Sequence, residues 1–110
     1  MFIYQTFTKG LFLRGYIMTC EYLKGLMKDP NNIVVDVRTP YEYQQARIDG
    51  AMLIPLHELP NSVEHLRDKN VYLYCRSGAR SGQGAAWLNA QGIKATNIGG
   101  LTNFMGCLAY

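Results

Sequence analysis

Cys75 is the residue in this 110-residue chain whose neighbours could do chemistry. It closes a short apolar run, and Arg76, Gly78, Arg80, Gly82 and Gly84 follow within nine residues. A free cysteine has a pKa of about 8.5, so only a few per cent is thiolate at pH 7, and the thiolate is the nucleophile. Nearby cations and a helix N-terminus both lower that value. Backbone N–H groups converging in a tight turn would hold an anionic substrate or intermediate. Gly78 suits such a turn because it reaches positive φ without a Cβ clash. Gly82 and Gly84 each cost about 1 kcal/mol against alanine inside a helix, which fits a helix lying close on a sheet. The competing reading is a buried core thiol, the commoner fate of a lone cysteine. That reading gives the arginines and glycines nothing to do.

The elements that must position Cys75 follow from the hydrophobic pattern. Residues 71–75 read as a strand covered on both faces, and residues 79–91 as a helix stopped by Gly92. Upstream, Thr19 caps a first helix with Glu21 in its first turn and a stripe of Leu23, Leu26 and Met27. A loop at residues 29–32 leads to a β-branched strand at residues 33–37. Thr39, Pro40 and Glu42 form a capping box with proline at the first helical position, for a short helix to about Gln45. Residues 51–56 read as a second buried strand closed by Pro55, residues 60–67 as a helix, and residues 95–98 as a last strand before a Gly99-Gly100 turn. Strands alternating with helices at this spacing predict an α/β fold, a parallel sheet with helices on both faces. Ligands in such sheets bind beyond the carboxyl ends of the strands, where Cys75 stands.

Composition narrows the classes. Hydrophobic residues are 48% and charged residues 17%, which predicts a globular chain rather than a disordered one. The net charge of +3 is mild and its cations are scattered, so no nucleic-acid partner is expected. No apolar run reaches the roughly 18–20 residues of a membrane span. One domain over residues 17–110 is expected, preceded by an arm or extra strand at residues 1–16. Lys9 and Arg14 interrupt the apolar segment a signal peptide needs, and Thr19 before Cys20 suits lipoprotein cleavage poorly. Phe2, Tyr4 and Phe7 of the arm would pack on the domain or on another subunit, leaving a monomer or a small homo-oligomer.

The remaining polar residues read as structural. The three cysteines are odd in number and widely spaced. No C-x-x-C or Cys/His cluster occurs, so neither zinc nor a disulfide framework is expected. Cys20 and Cys107 are read as ordinary thiols, and a reducing, cytoplasmic setting follows. His57 and His65 lack partner ligands, so no metal is expected. Asp36 and Arg38 would pair and brace the loop, Glu42 would cap, and Tyr72, Tyr74 and Trp87 would pack.

The loop Cys75-Arg76-Ser77-Gly78-Ala79-Arg80-Ser81 resembles the active-site loop of the rhodanese, or sulfurtransferase, family. Asp36-Val37-Arg38-Thr39-Pro40-Tyr41-Glu42-Tyr43, with Ile48-Asp49-Gly50-Ala51 and Ile54-Pro55-Leu56, resembles the family's first signature. Ile98-Gly99-Gly100-Leu101 resembles its closing turn. Order and spacing agree from about Ile17 to Phe104. The resemblance implies a three-layer α/β/α rhodanese-like fold whose five-stranded parallel sheet has the order 3-2-4-5-1. It departs where the family usually has Gly-His and this chain has Ala46-Arg47, and where Phe104 replaces a tryptophan.

The resemblance also implies a chemistry. Cys75 would take a sulfane sulfur from thiosulfate or a persulfide donor as a persulfide and pass it to a thiol, protein thiol or cyanide. Arg76, Ser77, Gly78, Ala79 and Arg80 would bind the donor and steady the persulfide, the two arginines orienting the donor's sulfonate. No cofactor is implied. A phosphatase or arsenate reductase of related fold needs C-x5-R, but that position holds Ser81, and Arg80 gives C-x4-R. Non-catalytic binding modules of this type commonly lack the cysteine. A dinucleotide motif starting at Gly82 fails because Trp87 stands where glycine is required.

Overall fold

The computed structural model describes residues 18–110. The arm expected at residues 1–16, with Phe2, Tyr4 and Phe7, lies outside the described residues. In chain order the elements are α1 (Cys20–Leu26), β1 (Asn32–Asp36), α2 (Pro40–Gln45), β2 (Arg47–Ile48), β3 (Met52–Leu53), a 3-10 stretch (Leu56–Ser62), α3 (Val63–Leu66), β4 (Asn70–Cys75), α4 (Ala79–Ala90), β5 (Lys94–Gly100), a second 3-10 stretch (Leu101–Cys107) and β6 (Leu108–Ala109).

The β-branched and apolar runs expected as strands lie at the centre of the sheet. β1 and β4 pair in parallel with Val35 opposite Leu73 and Asp36 opposite Tyr74. β3 and β5 flank them in the order β3-β1-β4-β5, all parallel. This order equals 3-2-4-5 of the expected fold when β1 counts as second. The strand counted first would then precede β1, outside the described residues.

Strand periodicity sorts the side chains into two cores. Val35, Val37, Val71, Leu73 and Cys75 face one side with Leu59, Ala85 and Leu88. Val34 and Tyr74 face the other with Leu23, Ile48, Phe104 and Cys107. α4 turns Ser81, Gly84, Ala85 and Leu88 inward, a helical i, i+3, i+4, i+7 stripe. A Cβ on Gly84 would meet Leu59 and Leu73 at 3.0 and 3.2 Å, so a larger residue there would have to displace these side chains.

Several expectations change in detail. The strand at residues 51–56 shrinks to Met52–Leu53. It runs at the sheet edge, where Pro55 has no N–H to offer. Ile54 and Leu56 still donate N–H bonds to Asp36 and Val37. The helix at residues 60–67 begins only at Val63, after a 3-10 stretch that contains Pro60. Gly99 and Gly100 end β5 rather than form a separate turn. Trp87 is 37% exposed and not core, because it lies off the inward stripe of α4. An antiparallel pair of β2 with β6 also forms, too short to register in the sequence pattern.

The larger correction concerns cysteine. Cys20 and Cys107, read as separate thiols, are joined as a disulfide with a Cα separation of 5.8 Å. Both belong to the Tyr74 side of the sheet, where α1 packs against the second 3-10 stretch. Their separation of 87 residues hid the pairing from a reading based on spacing. The ground for expecting a reducing compartment falls with it. Cys75 remains free.

Two elements at the site are tied by charge. Thr39 and Glu42 make the expected capping box on α2, and the Glu42 carboxylate also takes both Nη atoms of Arg80, in the first turn of α4, at 2.8 and 3.0 Å. The Arg80 hydrogen bond outweighs burial and holds the Glu42 carboxyl down at about 2.

Two tests follow. A disulfide typically stabilises a fold by about 2–4 kcal/mol, chiefly by constraining the unfolded chain. The Cys20→Ser/Cys107→Ser variant is expected to lose stability of that order in urea unfolding. Denatured wild-type protein is expected to take up one iodoacetamide per chain without reductant and three after reduction. Three adducts without reduction would remove the staple. Separately, an unfolded glutamate titrates near 4.3, above the folded Glu42. The unfolded chain therefore binds that proton first, and the stability from Glu42, full above about pH 4.3, is lost as pH falls toward 2. Glu42→Gln is expected to flatten this part of the stability-against-pH curve and to lower stability at neutral pH by about 1 kcal/mol. An unchanged acid limb in urea titrations would show the pair to be without effect.

Candidate active site

β4 ends on Cys75, and the chain turns at once into α4. Gly78, the residue before α4, adopts φ +102, a conformation that strains any residue with a Cβ. The turn folds residues 76–78 back over the sulfur. The Gly78 N–H donates to Cys75 Sγ at 3.0 Å, and the Ser81 N–H and hydroxyl stand 3.4 Å from it. Cys75 is 0% exposed, on the side of the sheet that carries α4.

Burial pushes the Cys75 thiol up. The Ser81 hydroxyl, the Ser81 N–H, and the Gly78 and Ser77 N–H groups outweigh it, and the thiol lies below its ordinary value. The donors that act most directly are thus the turn and Ser81, more than the arginines that marked the loop in the sequence. Arg76 is exposed at the loop surface. Arg80 does not present a free fork to a donor, since Glu42 holds both its Nη atoms. That hydrogen bond raises the Arg80 guanidinium, with the charge of Cys75 acting in the same direction. Ser77 and Ala79 are exposed on the loop.

Asp36 and Arg38 do pair. Arg38 Nε and Nη2 reach the Asp36 carboxylate at 2.7–3.1 Å, and the residues are 0% and 5% exposed. Burial lowers the Arg38 guanidinium, but the Asp36 hydrogen bond and charge leave it raised. Asp36 Oδ2 also accepts from the Tyr74 hydroxyl at 2.6 Å, and that hydroxyl accepts from Ile48 N–H at 3.0 Å. Arg38 Nη2 donates to Ala46 O at 2.6 Å. The network therefore links the end of β1, the residue before Cys75, and the corner between α2 and β2. Tyr74 is more than packing: burial and the Asp36 bond push its phenol up, so it stays a neutral donor.

The departures from the family pattern have local reasons. Ala46 ends α2 at φ −169 and ψ 145, extended backbone that requires no glycine. Arg47 lies over the Tyr43 ring at 4.9 Å and donates to Tyr43 O. Phe104 is 1% exposed in the core with Tyr74. His57 is exposed beside Glu58, and among the described residues no group of three metal-ligating side chains occurs.

Two contributors escaped the sequence reading. Ser81 is the last residue of the loop but has no role in the expected donor-binding set, and its signal is its place in the first turn of the helix after a reactive cysteine. Asn97 on β5 bonds to Ser81 and Gly78, and no local motif marks it.

A family model for the rhodanese-like domain matches residues 19–107. A sulfurtransferase of Allochromatium vinosum is 44% identical over 74 residues, covering 66% of this chain and 69% of that protein. The tRNA uridine(34) hydroxylase of Sodalis glossinidius is 34% identical over 87 residues. The chain spans 25% of that protein's length and 73% of its own. Among solved structures, a rhodanese-like domain protein from Staphylococcus aureus superposes with a TM-score of 0.69 at 32% identity, over 82% of this chain and 93% of that one. A rhodanese with anions from E. coli gives 0.65 at 31%, over 71% and 96%. On fold, loop and match, this chain belongs to the rhodanese-like domain family.

Proposed function

We propose that the protein is a sulfurtransferase that carries a sulfane sulfur on Cys75. The Cys75 thiolate attacks the outer sulfur of thiosulfate. The S–S bond of the donor breaks, sulfite leaves with the electron pair, and a persulfide anion remains on Cys75. A thiol or protein thiol, or cyanide, then attacks the outer persulfide sulfur and regenerates the Cys75 thiolate. The observation that carries this reading is the set of donors about Sγ: Gly78 N–H, Ser81 N–H and the Ser81 hydroxyl. They are already placed on the sulfur that bears the charge of the thiolate and takes it back when the persulfide is discharged, as an oxyanion hole is placed for oxygen. The sulfurtransferase relative at 44% identity supports it.

The other parts take roles around that centre. Arg76, exposed on the loop, attracts the donor's sulfonate, for which a guanidinium is well shaped. Arg80 acts through Glu42, holding α2 against the first turn of α4. Asp36 and Arg38 fix the strand ends that carry the loop. Because Cys75 has no exposed surface, donor access requires the side chains over Sγ to move. A cavity of about 360 Å³ is lined by Val37, Arg38, Pro40, Pro55, Leu56 and Arg80, the last of these in the first turn of α4. Phosphate chemistry is disfavoured, since the loop is one residue short of C-x5-R and the Arg80 fork is engaged. The hydroxylation named for the tRNA relatives stays with those proteins, of which this chain matches only 25%. The Cys20–Cys107 disulfide supports an oxidising setting rather than the cytoplasm.

Incubation with thiosulfate, followed by intact-mass measurement, is expected to show a gain of one sulfur atom, absent in Cys75→Ala and removed by cyanide as thiocyanate. No gain in wild type sinks the reading. Arg76→Ala is expected to raise the KM for thiosulfate by about threefold to tenfold with little change in kcat, the signature of lost uniform binding. An equal loss in kcat and kcat/KM would place Arg76 in the transition state instead.

A further inference from the structure

Asn97 joins three parts of the site. It stands on β5 opposite Leu73, so its side chain points to the α4 side of the sheet. Directly after it the register between β4 and β5 slips, and Gly99 at φ +99 lies opposite Tyr74. Such a bulge re-aims the strand beside a site. Asn97 Oδ1 accepts from Gly99 N–H at 3.0 Å and from the Ser81 hydroxyl at 2.7 Å, while Nδ2 donates to Gly78 O at 3.0 Å. Ser81 is 0% exposed, and its Oγ is 3.4 Å from Cys75 Sγ.

A serine hydroxyl has one proton and two lone pairs. It cannot donate to Asn97 and to sulfur together. While Cys75 is a neutral thiol, the amide oxygen at 2.7 Å is the better acceptor, and Ser81 Oγ is free to accept the S–H. Once the sulfur is anionic it becomes a charged acceptor, and hydrogen bonds to charged groups are roughly twice as strong. The hydroxyl then turns to sulfur. Asn97 Oδ1 retains the Gly99 N–H, so the turn leaves no buried acceptor orphaned.

We propose that Asn97 is a positioning residue that holds the Ser81 proton while Cys75 is neutral and yields it to the sulfur when Cys75 becomes thiolate. The proton stays on Oγ throughout, and only its direction changes. The proposal deepens the sulfur-transfer reading, in which that thiolate is first the nucleophile and later the leaving group, but ionisation of Cys75 alone tests it.

The test is a double-mutant cycle of Asn97→Leu and Ser81→Ala, read as the pH midpoint of Cys75 alkylation by iodoacetamide in folded protein. Cys20 and Cys107 are joined, so the reagent reports on Cys75. Ser81→Ala removes a donor to the thiolate and is expected to raise the midpoint by about half to one pH unit. Asn97→Leu removes the competing acceptor and is expected to lower it by a similar amount, opposite to the rise that a loosened turn would give. In the Ser81→Ala background, Asn97→Leu is expected not to lower the midpoint. The proposal is overturned if Asn97→Leu raises the midpoint or leaves it in place, if it lowers it equally in both backgrounds, or if Ser81→Ala does not move it. Should Asn97→Leu fail to fold, Asn97→Ala replaces it in the cycle, and an unmoved Ser81→Ala midpoint still overturns the proposal alone. A chain that shows the coupling yet gains no sulfur from thiosulfate keeps this inference and loses the sulfur-transfer reading; one that gains sulfur without the coupling does the reverse.

Discussion

A sulfur atom that must carry negative charge out of water needs donors fixed around it in advance. Burial opposes charge on Cys75, and the hydrogen bonds from Ser81, Gly78 and Ser77 lead in reversing that opposition. Side-chain cations at the surface act through solvent, whereas N–H groups in contact with sulfur do not. The rest of the site serves this arrangement. Gly78 takes the left-handed backbone that turns the chain over the thiol. α4 follows directly, so its unpaired N-terminal N–H groups point the same way. The bulge in β5 brings Asn97 under the turn, where it fixes Gly78 from below.

The opposite face of the sheet holds the strand ends in place. Asp36, Arg38 and Tyr74 form a buried polar network whose members each have more than one partner. A buried ion pair is weak evidence of stability, because desolvation offsets the attraction. Its effect here is geometric. Tyr74 precedes Cys75, so the bond from its hydroxyl to Asp36 sets how β4 ends relative to β1. Arg38 extends the same network to Ala46 and the end of α2, the helix whose Glu42 holds Arg80. The two sides of the sheet are therefore linked through consecutive residues, 74 and 75.

The sequence made the centre of this molecule readable because the local signals agreed with the fold. β-branched residues ran where β1 lies and apolar and aromatic ones where β4 lies, Thr39 and Glu42 capped α2, and glycines marked the turn after Cys75. What it hid was long-range. Asn97 acts on residues 16 and 19 positions away in the chain, and no periodicity signals an amide that closes a turn. Arg80 looked like a substrate ligand because charge near a thiol is visible in a sequence, while its partner Glu42, 38 residues away, had already been explained as a cap. Two-residue strands such as β2 and β6 owe their existence to each other rather than to propensity.

The cysteines show how topology separates chemistries that composition would mix. In the proposed reaction Cys75 acts as a free thiolate, and a thiolate attacks any disulfide within reach. The same chain joins Cys20 to Cys107. Cys75 packs with Val37, Leu73 and Ala85 on the α4 side of the sheet. Cys107 is buried with Leu23, Tyr74 and Phe104 on the other, and Cys20 packs against that core. Alternation along β4 turns Tyr74 toward the disulfide side and Cys75 away from it, and the sheet stands between them. An oxidised staple and a reactive sulfur can then share one small domain without exchanging, since the pleat of a single strand keeps them on opposite faces.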